Sequence, residues 1–211
     1  MISIIQAAGW PIWPLLMCSV VALALIIERL LSLRSSRVVP ARLLEEVLAV
    51  SHQSLPGPEV VTKLAANSVL GALLAGGLRA ATTEPRISEA ALRTVFESAG
   101  RAAVHRLERY LDTLGTIATA APLLGLLGTV IGMIEIFGAQ APTAGAGGNP
   151  EQLAHGIAMA LYNTAFGLIV AIPSLMFYRY FRGRVEVLSF ELEQAAERMV
   201  PHLLRFSIRQ A

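Results

Sequence analysis

The chain has 211 residues, of which 55% are hydrophobic and 15% are charged, and its mean hydropathy is +0.60. Because a soluble domain carries charge on about a quarter of its residues, this composition excludes an ordinary soluble domain and indicates an integral membrane protein. The isoelectric point near 9.0 does not indicate nucleic-acid binding, since the cations are interspersed with glutamates and lie beside apolar segments.

The first apolar segment runs from Trp10 to Ile27 and ends at Glu28 and Arg29. No cation precedes it and no small-residue cleavage site follows it, so we interpret it as a retained span and not as a signal peptide. Residues 1–33 are therefore predicted to form the outer amino end and the first transmembrane helix. Cys18 lies within this span, where a buried structural thiol is expected.

Residues 34–112 are predicted to form a cytoplasmic helical segment. An amphipathic stretch around Leu43 ends at Pro56-Gly57-Pro58, and a second stretch extends from Glu59 to about Ala81. From about Arg86, apolar residues recur at spacings of three and four, and no glycine or proline break separates this stretch from the next apolar segment. This pattern predicts one helix over about 86–138.

No lysine or arginine occurs in the 69 residues from Tyr110 to Tyr178. This gap contains two apolar segments, which predict a second transmembrane helix over 113–138 and a third over 154–181, joined by a periplasmic loop at 139–153. The apolar spacing of the third continues into a cytoplasmic helical tail, 182–211. Because all 17 cations lie in the flanking blocks, the positive-inside rule places the amino end in the periplasm and the middle segment and tail in the cytoplasm.

The two cation-free helices carry faces of small residues, which let helix backbones approach closely. The positions expected to serve helix packing are Pro122, Gly125, Gly128, Gly132, Ala160, Gly167 and Ala171.

Thr129 and Thr164 belong to these faces and lie at similar membrane depth. Thr129 is 16 residues from Thr113, and Thr164 is 14 residues from Tyr178, so at ~1.5 Å per residue their depths differ by about 3 Å. Two level hydroxyls are suited to line a polar path through the membrane. The spacing is equally consistent with each hydroxyl binding a carbonyl of its own helix.

Glu135 is the one acid within the apolar parts of the spans, near the outer end of its helix. It is either a side chain that reaches the headgroups or a proton-accepting group at the outer mouth. His155 is a weaker candidate for that role. We find no metal-ligand spacing, phosphate-binding loop, dinucleotide fingerprint or nucleophile motif, so the sequence predicts no metal and no cofactor and disfavours an enzyme.

Two segments carry a resemblance to a known family: APLLGLLGTVIG at 121–132 and GIAMALYNTAFGLIVAIP at 156–173. With Gly9 to Leu16 and Glu28-Arg29-Leu30, they make the chain similar to the MotA/TolQ/ExbB proton-channel family, and most to its ExbB branch. The resemblance implies an all-α membrane protein with three transmembrane helices, the second and third extended into a cytoplasmic helical bundle.

The resemblance also implies partners and a task. It predicts a pentameric ring in the bacterial inner membrane, enclosing an ExbD-like one-span protein that supplies a membrane aspartate. A TonB-like protein would then transmit the energy of the proton gradient to the outer membrane, where it powers import. Thr129 and Thr164 match the pore-lining threonines of the family.

One departure from the family concerns Met159, five residues before Thr164, where ExbB and TolQ usually have a glutamate. We hypothesise that Glu135 partly compensates for its loss. A TolQ-like role in envelope integrity and a passive membrane scaffold remain as alternatives. A flagellar stator is disfavoured because such subunits generally have a fourth span.

Overall fold

The structure is a computed structural model that describes residues 10–52, 54–139 and 150–209, and within these ranges every regular element is a helix. The helices are α1 (Ile12–Ser32), α2 (Ser35–Val38), α3 (Leu43–Val50), α4 (Pro58–Asn67), α5 (Val69–Thr83), α6 (Glu89–Glu108), α7 (Leu111–Ala139) and α8 (Pro150–Arg209). The all-α expectation is confirmed.

Three helical stretches are long and apolar enough to cross a bilayer. They are Ile12–Ser32, a part of Glu89–Gly138 and a part of Gly156–Phe206, with mean hydropathies of 2.1, 2.0 and 1.6. In the most apolar 18-residue part of each stretch, only 22 to 28% of the residues are buried within the chain. Most of these side chains therefore face outward, which lipid tolerates and water does not.

The chain divides into two compact units. The first contains the chain up to Glu28 together with Tyr110–Tyr180, and the second contains Arg29–Arg109 and the chain from Phe181 onward. In the first unit, buried Leu15, Ala121 and Ala171 bring α1 against α7 and α8.

The core of the second unit is built around α5. Ser68 begins this helix, since its side chain accepts a hydrogen bond of 3.0 Å from the Gly71 amide. The apolar face that follows is almost fully buried. The buried residues contributed by α5, α6 and the tail of α8 include Leu70, Leu73, Leu74, Leu78, Leu92, Phe96, Leu107, Leu188, Leu192, Met199 and Leu203. The apolar seam of the tail thus has partners within the same chain.

The prediction of one helix over 86–138 is wrong, because the chain turns at Arg109 and Tyr110. Tyr110 has φ = 67°, a left-handed conformation that costs a non-glycine residue about 1–2 kcal/mol. Arg29, which is 4% exposed, donates from Nη1 to the Leu107 carbonyl oxygen at 3.1 Å. Its cation lies at the negative end of α6, where it stabilises the helix terminus. Spacing rules miss this turn because neither glycine nor proline marks it.

The stretch predicted over 59–81 is also divided, into α4 and α5. Ser68 is extended, with φ = −157° and ψ = 171°, and serves as the amino-terminal cap of α5. The predicted continuation of the third span into the tail is confirmed, since α8 is one helix from Pro150 to Arg209. It starts before the expected residue 154, with proline at its first position, where proline is well tolerated. Residues 140–149 of the predicted loop lie outside the described residues.

Gly77 and Gly100 offer a matched test of the second unit. A Cβ added to Gly77 would clash with the ring of buried Phe96, whereas one added to Gly100 meets nothing within 4 Å. We expect Gly77→Ala to destabilise the chain by about 1–3 kcal/mol through overpacking. Gly100→Ala should be neutral or stabilising by up to about 1 kcal/mol, because alanine favours the helix. Thermal unfolding of the two variants in detergent measures the difference, and equal midpoints would contradict this packing.

Candidate functional site

The hairpin of α7 and α8 is joined at glycines where the two backbones touch. A Cβ atom added to Gly125 would lie 2.7 Å from the carbonyl oxygen of Asn163 and 3.0 Å from the Cα atom of Thr164. One added to Gly128 would lie 2.8 Å from the Cβ atom of Asn163. Such distances are too short for carbon, so this approach depends on glycine, as is common where helices associate in membranes.

The same contact continues toward both ends of the hairpin. A Cβ on Gly132 would lie 3.1 Å from the Ala160 Cβ, and one on Gly167 would lie 2.6 Å from the Ala121 carbonyl oxygen. As the contact residues on α7 advance along the chain, their partners on α8 move back along it, so the two helices are antiparallel. Five of the positions expected to serve packing lie at this contact: Gly125, Gly128, Gly132, Ala160 and Gly167.

The remaining two expected packing positions are Ala171 and Pro122. Ala171 is 5% exposed and belongs to the cluster with Leu15 and Ala121. Pro122 is half-buried inside α7, next to Ala121. Proline removes one backbone hydrogen bond from a helix, which the neighbouring packing has to offset.

Thr129 and Thr164 are both half-buried at the edge of the contact. The Thr129 hydroxyl donates to the Leu126 carbonyl oxygen at 2.7 Å, which is the local hydrogen bond that the spacing left open. Its oxygen keeps lone pairs that can accept a further hydrogen bond. Thr129 also borders an open groove of about 580 Å³ that continues along α7. The other residues of that groove are Val130, Met133, Ile134, Phe137 and Gly138.

Helical geometry places the two threonines on the same side of the hairpin. Successive residues are separated by about 100° around a helix axis, so Thr129 lies about 70° from the middle of the α7 contact face. Thr164 lies at about the same angle, in the same sense, from the middle of the α8 contact face. When both helices are viewed from the same end of the hairpin, the residue positions of antiparallel helices advance in opposite rotational senses. Equal angles in the same sense therefore put Thr129 and Thr164 on the same flank of the hairpin, which we name the threonine flank.

Glu135 lies on the opposite flank. It follows Thr129 by six residues, which puts it about 50° from the middle of the α7 contact face in the other sense. Met159 lies about 70° from the middle of the α8 face on that same flank. Glu135 is exposed, and it is absent from the described residues that line the groove beside Thr129. The described structure therefore brings Glu135 nearer to Met159 than to the threonines.

Asn163 is a site residue that the sequence reasoning passed over. It is 2% exposed and packs its side chain against Gly128 at the centre of the helix contact. A buried carboxamide within a span is costly and usually has a role. The available signal was that Asn163 is the one carboxamide in 154–181, directly before Thr164. Ser174 is also buried, and its hydroxyl donates to the Val170 carbonyl oxygen at 2.7 Å.

Two further sequence candidates add no chemistry to the described site. The side chain of His155 lies outside the described residues, and Cys18 is a half-buried free thiol of α1. Among the residues searched, those that the structure describes, there is no group of three or more His, Cys, Asp or Glu placed to hold a metal ion.

Comparison with known proteins now places the chain. The model of the MotA/TolQ/ExbB proton channel family matches residues 65–194, which include α7 and the whole α8 contact face. The chain belongs to this family. Its sequence is 33% identical to an ExbB-like biopolymer transport protein of Synechocystis, over 84% of this chain and 83% of that one. The resemblance drawn from the span motifs is confirmed.

Relatives from both transport and Tol systems are similar to the chain. It is 30% identical to biopolymer transport protein exbB1 of Vibrio cholerae, over 81% of this chain and 74% of that protein. It is 36% identical to the Tol-Pal system protein TolQ of Pseudomonas aeruginosa, over 50% of this chain and 46% of that protein.

The glycine contact predicts a difference between Gly125→Ala and Gly138→Ala. The first adds a methyl group against the rigid Asn163 backbone, whereas the second adds one where nothing lies within 4 Å. We expect Gly125→Ala to separate α7 from α8 at a cost of about 1–3 kcal/mol and Gly138→Ala to change little. Thermal unfolding and size-exclusion profiles of the detergent-purified variants measure this, and an unaffected Gly125→Ala would argue against close backbone contact.

Proposed function

We propose that the chain is the channel-forming subunit of an inner-membrane complex that uses the proton gradient to power outer-membrane import. What supports this is the threonine flank: two hydroxyls at one level, beside a helix contact made of small residues, in a member of a proton-channel family. In this proposal five copies form a ring, and the threonine flanks line its interior.

The hydrogen bond that the Thr129 hydroxyl donates determines which further hydrogen bond this hydroxyl can make. The Thr129 hydroxyl gives its hydrogen to Leu126, so its oxygen is oriented to accept a hydrogen bond from water or from a partner's acid. The threonines themselves do not ionise near neutral pH, and Met159 is not a carboxylate. The proton-carrying group therefore comes from a partner, which we propose is an ExbD-like one-span protein with a membrane aspartate.

The proposed orientation rests on charge. Positively charged residues cluster next to the inner ends of the apolar helices and are absent from 110–178. This distribution favours a periplasmic amino end and a cytoplasmic tail. Force would then pass from the ring to a TonB-like protein that reaches the outer membrane.

A TolQ-like role in envelope integrity is the second candidate, and the similarity to TolQ of Pseudomonas aeruginosa favours it. The two roles differ in the partners recruited. Co-purification with an ExbD-like and a TonB-like protein supports import, whereas co-purification with Tol proteins supports the second role. A passive scaffold is the third candidate, which the local hydrogen bond of Thr129 favours, and absence of proton flux would support it.

Thr164→Val tests the lining role with little change in volume. Loss of one hydroxyl hydrogen bond, worth about 0.5–1.5 kcal/mol, should reduce proton flux by about 2- to 10-fold while assembly stays intact. Flux is measured in liposomes containing the complex with its one-span partner. Thr116→Val is the matched control, because the exposed Thr116 hydroxyl bonds its own helix, at Asp112, and Thr116 faces away from the hairpin contact. Loss of the oligomer in Thr164→Val would instead support a purely structural threonine.

Glu135→Gln tests whether the acid on the opposite flank compensates for Met159. The change removes the negative charge and keeps the shape, so proton-coupled work should fall. Siderophore-dependent growth under iron limitation, in cells that rely on this chain, measures the effect. Unchanged uptake at equal protein level would show that Glu135 only reaches toward the headgroups.

A further inference from the structure

A groove of about 440 Å³ lies between α6 and the tail of α8, within the second unit. Its residues extend on α6 from Arg93 to Glu108 and on the tail from Ser189 to Val200. On both helices they alternate at spacings of three and one, so each helix contributes one continuous face. At ~1.5 Å per residue these faces are about 22 Å and about 16 Å long, the length of three to four turns of a further helix.

The inside of the groove is apolar and contains open space. Four buried side chains line it, each at most 4% exposed: Leu73 of α5, Phe96, Leu192 and Val200. Gly100 lines it as well, and a Cβ atom added to Gly100 would meet nothing within 4 Å. The groove can therefore accept an apolar side chain of another molecule beside Gly100 while the core of the second unit stays packed.

The rim of the groove is charged, with four glutamates against two arginines, which gives a formal charge of −2 when His105 is neutral. Arg93 is already bound, because its Nε donates to Glu89 at 3.0 Å and its Nη1 donates to Glu197 at 2.6 Å. The contact with Glu197 joins α6 to the tail across the groove. The positive charge of Arg93 is therefore matched within the chain.

Two of the four rim glutamates have no matching cation. The second arginine, Arg101, has its Nη1 3.8 Å from Oε2 of Glu97. Among the residues that the structure describes, no cation forms an ion pair with Glu108 or Glu193, and both are exposed. These two carboxylates can accept hydrogen bonds from cations of another molecule.

We propose that this groove docks a basic amphipathic helix of a partner protein. The partner helix inserts a large apolar side chain beside Gly100 and places lysines or arginines against Glu108 and Glu193. Amphipathic helices bind apolar grooves in this way, with anchors at spacings of three and four. The surplus carboxylates favour a cationic partner and oppose an acidic one. This inference does not depend on the proposed function, since every residue it uses belongs to the second unit.

Site-specific photocrosslinking of the full-length chain in living cells tests the docking. Photoreactive benzoylphenylalanine (Bpa) is introduced as His105→Bpa, at an exposed residue of the groove. The control is Ser98→Bpa, at an exposed residue of α6 that is not among those lining the groove. We expect the first probe, and not the second, to crosslink a protein other than this chain. Mass spectrometry should identify the attached segment as rich in lysine or arginine, with apolar residues at helical spacing.

The identity of the crosslinked segment decides between occupants of the groove. A second copy of this chain, or a neutral or acidic segment, would overturn the proposal. A yield no higher than that of the Ser98→Bpa probe would do the same. Capture of a protein supports the proposal only when the attached segment is basic and the yield depends on the charge of the groove.

Charge variants measure that dependence. Glu108→Gln combined with Glu193→Gln removes two carboxylates and keeps their shape, so the yield should fall by about 2- to 30-fold, as for the loss of two exposed ion pairs. Glu193→Lys alone should lower the yield more than Glu193→Gln alone, because it adds repulsion. Glu45→Gln combined with Glu46→Gln removes the same charge from exposed residues of α3 and should leave the yield unchanged. An equal fall in this control would contradict docking at the groove.

Gly100→Leu tests the apolar anchor. Leucine occupies the open space, so the yield should fall by about 10- to 100-fold, the effect of losing one buried apolar side chain. Gly100→Ala adds a single methyl group and should lower the yield less. Thermal unfolding in detergent should show both variants folded, because a Cβ at this position meets nothing within 4 Å. An unchanged yield in folded Gly100→Leu would overturn the proposal, and the charge variants provide the test if leucine unfolds the chain.

Discussion

Two helices in a bilayer gain little by covering apolar side chains, because lipid is as apolar as leucine. Association of α7 with α8 therefore depends on how closely their backbones approach, and Gly125 and Gly128 set that distance against Asn163. Every other feature of the hairpin follows from this contact. It fixes the antiparallel register and buries Asn163. It also divides the surface into a flank with Thr129 and Thr164 and a flank with Glu135 and Met159.

The second unit is held together by a different force. Its core is the leucine-rich face of α5, against which α6 and the tail of α8 bury apolar side chains, as expected where the surroundings are aqueous. Two of its polar contacts act at helix ends. Arg29 binds the last turn of α6, and Ser51 and His202 join the end of α3 to the tail. The Arg29 contact supplies a partner for a carbonyl group in the last turn of a helix, where backbone groups have none within their own helix.

Family membership and structure bear on different parts of the proposed mechanism. The chain's membership in the MotA/TolQ/ExbB proton channel family supports proton transport as part of the proposed function. The structure adds that the threonines share one flank and that the Thr129 hydroxyl is already bound to its own helix as a donor. In the proposed mechanism, this chain supplies hydroxyls and a narrow helix contact, because Met159 has no carboxylate. A partner then supplies the ionisable group.

Hydropathy and helical spacing are local properties, and they were enough to predict the number of apolar helices, the antiparallel hairpin and the small residues at its contact. The spacing also predicted the continuous tail helix and its buried seam. Local patterns missed the turn at Tyr110 and the break at Ser68, since a distant arginine and a serine cap stabilise them instead of glycine or proline. Three features are visible only in the folded chain: Asn163 is buried against Gly128, Glu135 lies opposite the threonines, and Ser51 contacts His202. Each of these facts joins residues far apart in the chain, and such pairings depend on how the helices pack.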